Sequence, residues 1–267
     1  LIEWVGFKRP KKKMTTMSNY VFESLDGVLV IGDVHADFQS FEKACNYSRS
    51  ENFLLLATGD LVDSGRQPFE VVSKMHSMMY DGLAGITIGN HDDKHYRAIK
   101  GNSVRFSHAA KQTLVDVGEE RMSEFQRMYA EIIEDKMLSG IYHKFGDFTV
   151  VHAASHPSLW EDGADVGKTA RSRFLVGETN GEVYEDGYPV RLYNWIEEVP
   201  MGKTVIVGHD KQPIHNVPIT EPMVVRNKNG GKVIFLDTGC GKGGFLSGAI
   251  LMKTRKGFEF EKFVEFK

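Results

Sequence analysis

A chain of 267 residues, 41% apolar and 26% charged, can bury one sizeable core, and one domain is expected of it. A formal charge of -3 excludes a general basic field, so any nucleic acid contact has to come from a local patch. Only Cys45 and Cys240 occur, which excludes a disulfide framework and points to a reducing compartment, the cytoplasm. No apolar run reaches the roughly 18 residues of a membrane span, and no membrane partner is expected.

Residues 1–19 carry the run Lys8-Arg9-Pro10-Lys11-Lys12-Lys13 without an amphipathic period and read as a mobile basic extension. A single domain, 20–267, follows. Val28 to Ile31 reads as a buried strand leading into Gly32-Asp33-Val34-His35. Phe38, Phe41, Ala44 and Cys45 then fall at helical spacing. Phe53 to Ala57 is a second strand, ending at Gly59-Asp60-Leu61-Val62-Asp63, and Pro68 to Tyr80 is the helix after it. Leu83 to Ile88 is a third strand, opening into a loop at Gly89-Asn90-His91-Asp92. Strand and helix alternate, which implies an α/β fold with a mostly parallel sheet and ligand-type residues at its carboxyl edge.

The region from 103 to 140 is helical, with Phe125, Met128, Tyr129, Ile132 and Ile133 on one face, and reads as a helical cap inserted into the sheet order. Ile141 to Phe145 and Phe148 to Val151 read as a hairpin leading into His152. Regular signals weaken between Ser155 and Pro200, apart from a helical Arg171 to Leu175. Thr204 to Val207 is a strand ending at Gly208-His209, and Val233 to Leu236 runs into Asp237-Thr238-Gly239-Cys240. Gly248 to Met252 and Phe258 to Phe263 are antiparallel candidates.

Asp33 and His35 stand two apart, so in an extended segment both face one side, as two ligands of one cation must. Asp60 can bridge two cations with its two oxygens, and Asn90, His152 and His209 can complete the second shell. Carboxylate, carboxamide and imidazole together suit manganese, iron or zinc better than a thiolate-preferring ion. A lone Gly-Asp is usually a turn and a lone buried His usually core. Five strand ends in order, each with a ligand type, are not explained that way.

These five blocks resemble the calcineurin-like metallophosphoesterases, in the branch that holds the PPP-type, serine/threonine phosphatase-like enzymes. The resemblance spans Val28 to Met252. It implies a metallophosphoesterase-type sheet sandwich with flanking helices, and a domain that hydrolyses phosphomonoesters by attack of a metal-bridging hydroxide, with diesters left open as further substrates. It places Asp33 and His35 on metal one, Asp60 as the bridge, and Asn90, His152 and His209 on metal two. His91 becomes the general acid, paired with Asp63. The expected cofactors are two divalent ions, manganese first, with iron, zinc and nickel as alternatives. Within the branch, Gly89 to Lys94, Gly177 to Glu182, Tyr188 to Arg191 and Asp237 to Cys240 are similar to the phosphatase module of bacterial polynucleotide kinase-phosphatases.

No kinase module is expected. The Gly-Lys-Thr tripeptides at Gly167 and Gly202 lack the Gly five positions earlier that a P-loop needs, Asp162 and Glu197 standing there, and both read as loops. Gly239 to Gly244 reads as a flexible turn. The expected partner is a phosphorylated substrate: a phosphoprotein, a nucleotide or a nucleic acid end. The alternatives are a bis(5′-nucleosyl)-tetraphosphatase-like hydrolase and, in another class, a non-catalytic metal- or ligand-binding module. The chain departs from the family pattern at Ala36, at Asp92, and at Ser64, where the family carries a phosphate-clamping Arg. Arg66 and Arg173 are the expected substitutes.

Overall fold

The computed structural model describes residues 24–160, 166–185, 188–211 and 220–267; the basic run at the start of the chain lies outside them. The first sheet is built on β1 (Gly27–Ile31), β2 (Phe53–Ala57) and β3 (Ala84–Thr87), which lie side by side and parallel. Every residue of these three strands is buried, which is why they read as near-continuous apolar runs rather than alternating ones. Between them run α1 (Phe38–Ser50), capped by Asp37 accepting the Ser40 N–H at 3.1 Å, and α2 (Pro68–Tyr80), which starts on a proline.

Three helices separate β3 from the short parallel strand β4 (Ser139–Gly140): α3 (Asn90–Ile99), α4 (His108–Val117) and α5 (Glu119–Glu134). The Gly89 stretch therefore opens into a helix, not a loop as its sequence suggested. Gly89 is the extended N-cap of α3, and Asp92, three residues on, accepts its N–H at 2.8 Å. Helix α3 escaped the sequence reading because it is polar almost throughout and buries only Asp92 and His95.

The second sheet, in the order β10-β11-β9-β6-β5, holds β5 (Tyr142–Phe145), β6 (Phe148–Val151), β9 (Thr204–Val207), β10 (Met223–Arg226) and β11 (Lys232–Phe235). Strand alternation gives it two apolar faces. Val150, Ile206 and Ile234 join the core of the first sheet, while Val151, Val205, Val207, Val233 and Phe235 form a second core with Trp195 and Phe174. The segment with weak sequence signals contains α6 (Lys168–Val176) and an antiparallel pair, β7 (Glu178–Val183) with β8 (Pro189–Leu192). Gly167 is thus a helix N-cap rather than a loop residue. The chain closes with β12 (Leu246–Thr254) and β13 (Gly257–Phe266), which extend the first sheet antiparallel to β1.

Asp92 ties these layers together. Its carboxylate accepts the N–H groups of Asp60 at 2.7 Å, Leu61 at 3.1 Å and Gly89 at 2.8 Å, and the hydroxyl of the buried Tyr129 of α5 at 2.6 Å. One side chain thereby fixes the ends of β2 and β3 against the helical layer. Removing one donor from a buried acceptor costs about 1–3 kcal/mol, so Tyr129→Phe should lower unfolding free energy by that amount in urea titrations. An unchanged midpoint would mean that the three backbone donors suffice without α5.

Candidate metal centre

Asp33 and His35 reach one pocket, but not by strand alternation. The chain leaves the extended conformation after β1, and His35 and Ala36 take left-handed backbone angles, φ 47° and 57°. The turn is held by the Asp60 carbonyl, which accepts from His35 N–H at 2.9 Å, and by Leu61, which accepts from Ala36 N–H at 2.9 Å. Asp60, Asp63, Ser64 and His209 also have positive φ, so strained backbone gathers where the chemistry-bearing side chains lie. His35 donates its Nδ1–H to the Val62 carbonyl at 3.1 Å, and its Nε2 then lies 3.7 Å from Asp33 Oδ2 and 4.0 Å from Asp60 Oδ2. Asp33 is oriented by the Thr58 hydroxyl at 3.1 Å and the His209 N–H at 3.0 Å.

The second sheet delivers the other half. His152, at the end of β6, donates Nδ1–H to the Thr58 carbonyl at 2.9 Å, which leaves the Nε2 lone pair free to coordinate. That atom faces Asn90 Oδ1 at 3.1 Å, His209 Nδ1 at 3.0 Å and Asp60 Oδ2 at 3.5 Å. Imidazole, carboxamide and carboxylate atoms gathered this closely offer a divalent cation its ligands. Two groups of ligand atoms result, Asp33 with His35 and Asp60, and Asp60 with His152 and His209, each within 4.8 Å and sharing Asp60.

The electrostatics agree. Burial and the neighbouring Asp237 and Asp60 charges push Asp33 well above the usual carboxylate range. Asp60 goes the other way: burial opposes its charge, but His152, His91, His35 and His209 around it bring it well below that range. Burial, then the Lys242 ammonium, pushes His35 down to about 3, and burial with the adjacent His152 pushes His209 well down. Neutral imidazoles and crowded carboxylates of this kind are a donor set for hard and borderline divalent cations.

His91 lies beside this set, on the first turn of α3. Its N–H donates to Asp60 Oδ1 at 2.9 Å, its Nε2 is 3.9 Å from Asp60 Oδ2, and its Nδ1 donates to Asp63 Oδ2. Burial works against the imidazolium, but the Asp60 and Asp63 carboxylates raise His91 above the ordinary histidine value. Asp63 in turn accepts from His95 Nε2 at 2.8 Å and from the Thr113 hydroxyl at 2.8 Å. His95 and Thr113 escaped the sequence reading. His95 sits one helical turn beyond His91, a signal that is visible only once α3 is taken as a helix.

The two expected arginines take no part in this cluster. The Arg66 side chain is 74% exposed and pairs with Asp116 of α4 at 3.6 Å. Arg173 is committed to Glu178, by Nε at 2.8 Å, and to Glu198 at 2.6 Å, which joins α6 to β7 and to the turn after β8. Proximity in sequence selected Arg66, but the turn at Asp63 and Ser64 aims it outward. Three other groups do reach the site. Asp237 Oδ1 accepts the Gly239 N–H at 2.9 Å, while its buried Oδ2 has no hydrogen-bond partner among the described residues. Lys242 Nζ lies 2.6 Å from His35 Nε2. Arg191 of β8 shares a small cavity with His209 and Asp210.

Comparison with known proteins fits this geometry. The sequence profile of the calcineurin-like phosphoesterases matches residues 27–235. A protein named bis(5′-nucleosyl)-tetraphosphatase PrpE [asymmetrical] from Bacillus velezensis is 30% identical over 205 residues, 74% of each chain. A protein of the same name from Halalkalibacterium halodurans is 28% identical over 232 residues, 82% of this chain and 87% of its own. Among solved structures, one described as a putative diadenosine tetraphosphatase superposes with a TM-score of 0.56 at 19% identity, covering 92% of this chain and 96% of its own. A Saccharomyces cerevisiae protein serine/threonine phosphatase superposes with a TM-score of 0.54 at 14% identity, over 93% and 82%. These two share the fold. The chain belongs to the calcineurin-like phosphoesterase family, whose members use divalent metals, and it is a metal-dependent phosphoesterase.

Proposed function

We propose that this chain hydrolyses a phosphate ester or anhydride of a nucleotide, of the dinucleoside polyphosphate class that its relatives' names indicate. In this reading Asp33, His35 and Asp60 hold one divalent cation, manganese by preference, and Asp60, Asn90, His152 and His209 hold the other. The observation that carries the reading is Asp60 Oδ2, within 4.0 Å of the Nε2 atoms of His35, His91 and His152. When bound, such a cation pair acidifies water and neutralises phosphoryl oxygens.

The chain's own residues supply the remaining steps. Asp63 accepts His91 Nδ1–H, so the opposite nitrogen, Nε2, can carry the proton that the leaving oxygen takes. His95 and Thr113 hold Asp63 in place, which keeps the imidazole in one orientation. Ser64 supports the substrate class. A terminal monoester phosphate bears two negative charges and profits from an Arg at that position. A phosphoryl group between two bridging oxygens bears one and depends on it less.

A panel of manganese-supplemented assays tests the reading. Dinucleoside tetraphosphate should be cleaved off-centre into nucleoside mono- and triphosphate, faster than a phosphopeptide or a nucleic acid end. Preference for a phosphopeptide would reassign the substrate, and no turnover of any ester would leave the non-catalytic binding module.

A positioned acid contributes about a hundredfold to ten-thousandfold. His91→Ala should lose that much on alkyl phosphates, whose leaving alkoxide must be protonated, and far less on nitrophenyl phosphate or a dinucleoside polyphosphate. Equal losses on all three would make His91 a structural residue.

A further inference from the structure

Each phosphate of such a substrate carries a charge for a cation to grip, and the arginines nearest the pocket already pair with acidic side chains. Arg66 faces Asp116, Arg173 is held by Glu178 and Glu198, and Arg191 lies over the Tyr188 ring and 3.6 Å from Asp210. Ser64 stands exposed at the rim with no charge to offer. Its neighbour Gly65 donates N–H to the His35 carbonyl at 2.9 Å. The loop between β11 and β12 reaches the same residue from another direction. Gly241 packs so tightly on His35 that a Cβ would overlap its carbonyl oxygen, and a Cβ on Gly65 would do the same. Two loops thus meet on one candidate ligand, and each presents a residue adjacent to its glycine, Ser64 or Lys242, at the rim.

Lys242 is an exposed residue whose ammonium reaches inward to His35 Nε2 at 2.6 Å. That nitrogen is the lone pair a cation beside Asp33 and Asp60 would take. An ammonium and a divalent cation cannot share it, so a bound cation would drive the lysine off by Coulomb repulsion. Displacement is easy: the side chain has four rotatable bonds, and Gly239, Gly241 and Gly243 give its loop φ values of 79°, 68° and 91°. Held there, the ammonium is felt at Asp33, Asp237 and His91 as well as at His35. It also lies on the side of the pocket that His91 occupies, the His35 and His91 rings being 5.5 Å apart.

We infer that Lys242 is the phosphate-gripping cation of this site, released from His35 when the cation binds and then held by a non-bridging oxygen of the substrate's phosphate chain. It supplies the charge that Ser64 lacks. The inference rests on the phosphoesterase reading above. A lysine at this point suits a chain of phosphates, because its three donors swing on a flexible stem rather than forming a rigid fork. The competing role is that of a place-holder, whose ammonium merely neutralises Asp33 and Asp237 until a metal arrives.

Two calorimetric titrations separate these roles: inorganic phosphate into the manganese-loaded protein, and manganese into the metal-free protein. A charge-assisted hydrogen bond contributes about 1.5–3 kcal/mol, and about 1.4 kcal/mol is tenfold in affinity. Lys242→Met should therefore weaken phosphate binding about ten- to a hundredfold with unchanged metal stoichiometry. Lys242→Gln, a second neutral variant, should do the same. Lys242→Arg should keep most of the affinity, and adding Ser64→Arg to Lys242→Met should restore it. Wild-type phosphate affinity in both neutral variants, with or without tighter metal binding, would overturn the inference. A wild-type protein that binds phosphate through Lys242 yet hydrolyses nothing would instead overturn the proposed function alone.

Discussion

Buried negative charge is the constraint on which the rest of this structure depends. Asp33, Asp60, Asp63 and Asp237 each expose 2% or less of their surface within one pocket. Burying a carboxylate without a partner costs far more than a domain's margin of stability. Asp60 accepts the His91 N–H and faces the His91 imidazole, which is raised toward its charged form, and Asp63 has three donors, whereas Asp33 is pushed toward its protonated form and Asp237 keeps an oxygen without a partner among the described residues. On the side of His35 the single Lys242 ammonium faces the two carboxylates of Asp33 and Asp237, so positive charge is short there. A divalent cation there, with a second one shared through Asp60, would make up the deficit.

The fold serves that deficit by packing two sheets face to face so that their ligand-bearing strand ends meet. The first supplies carboxylates from β1 and β2 and the Asn90-His91 pair after β3. The second supplies imidazoles after β6 and β9. The ligand-bearing turns are strained, with positive φ at His35, Asp60, Asp63 and His209, each costing of order 1–3 kcal/mol. They persist because the surrounding backbone is over-determined. Asp92 grips three N–H groups from two turns, and the Asp60 carbonyl takes the amides of the His35 turn. A cation site on rigid turns of this kind keeps its geometry when substrate arrives.

Much of this was legible in the sequence, for a physical reason. Strands buried on both faces read as apolar runs, so β1, β2 and β9 fall where Val28 to Ile31, Phe53 to Ala57 and Thr204 to Val207 put them, and Pro68 announces α2. The six ligand candidates follow such strands directly, and space brings them together. What stayed hidden lacks either apolar period or sequence proximity. Helix α3 is polar, and β7 exposes most of its residues. His95 and Thr113 are brought to Asp63 by the packing of α3 and α4, and Lys242 to His35 by the loop after β11. Arg66 shows the converse error, since two residues along a left-handed turn can separate a side chain from the pocket entirely.

Asp60 is the carboxylate that both ligand groups share, and metal stoichiometry probes that sharing. Dialysis of the wild-type protein against manganese, followed by metal analysis, should find about two ions per chain, the number a bridging carboxylate serves. Asp60→Asn keeps the side chain's size but removes the charge that both clusters share, and it should leave neither ion stably bound. Two ions per chain retained by Asp60→Asn would contradict the account.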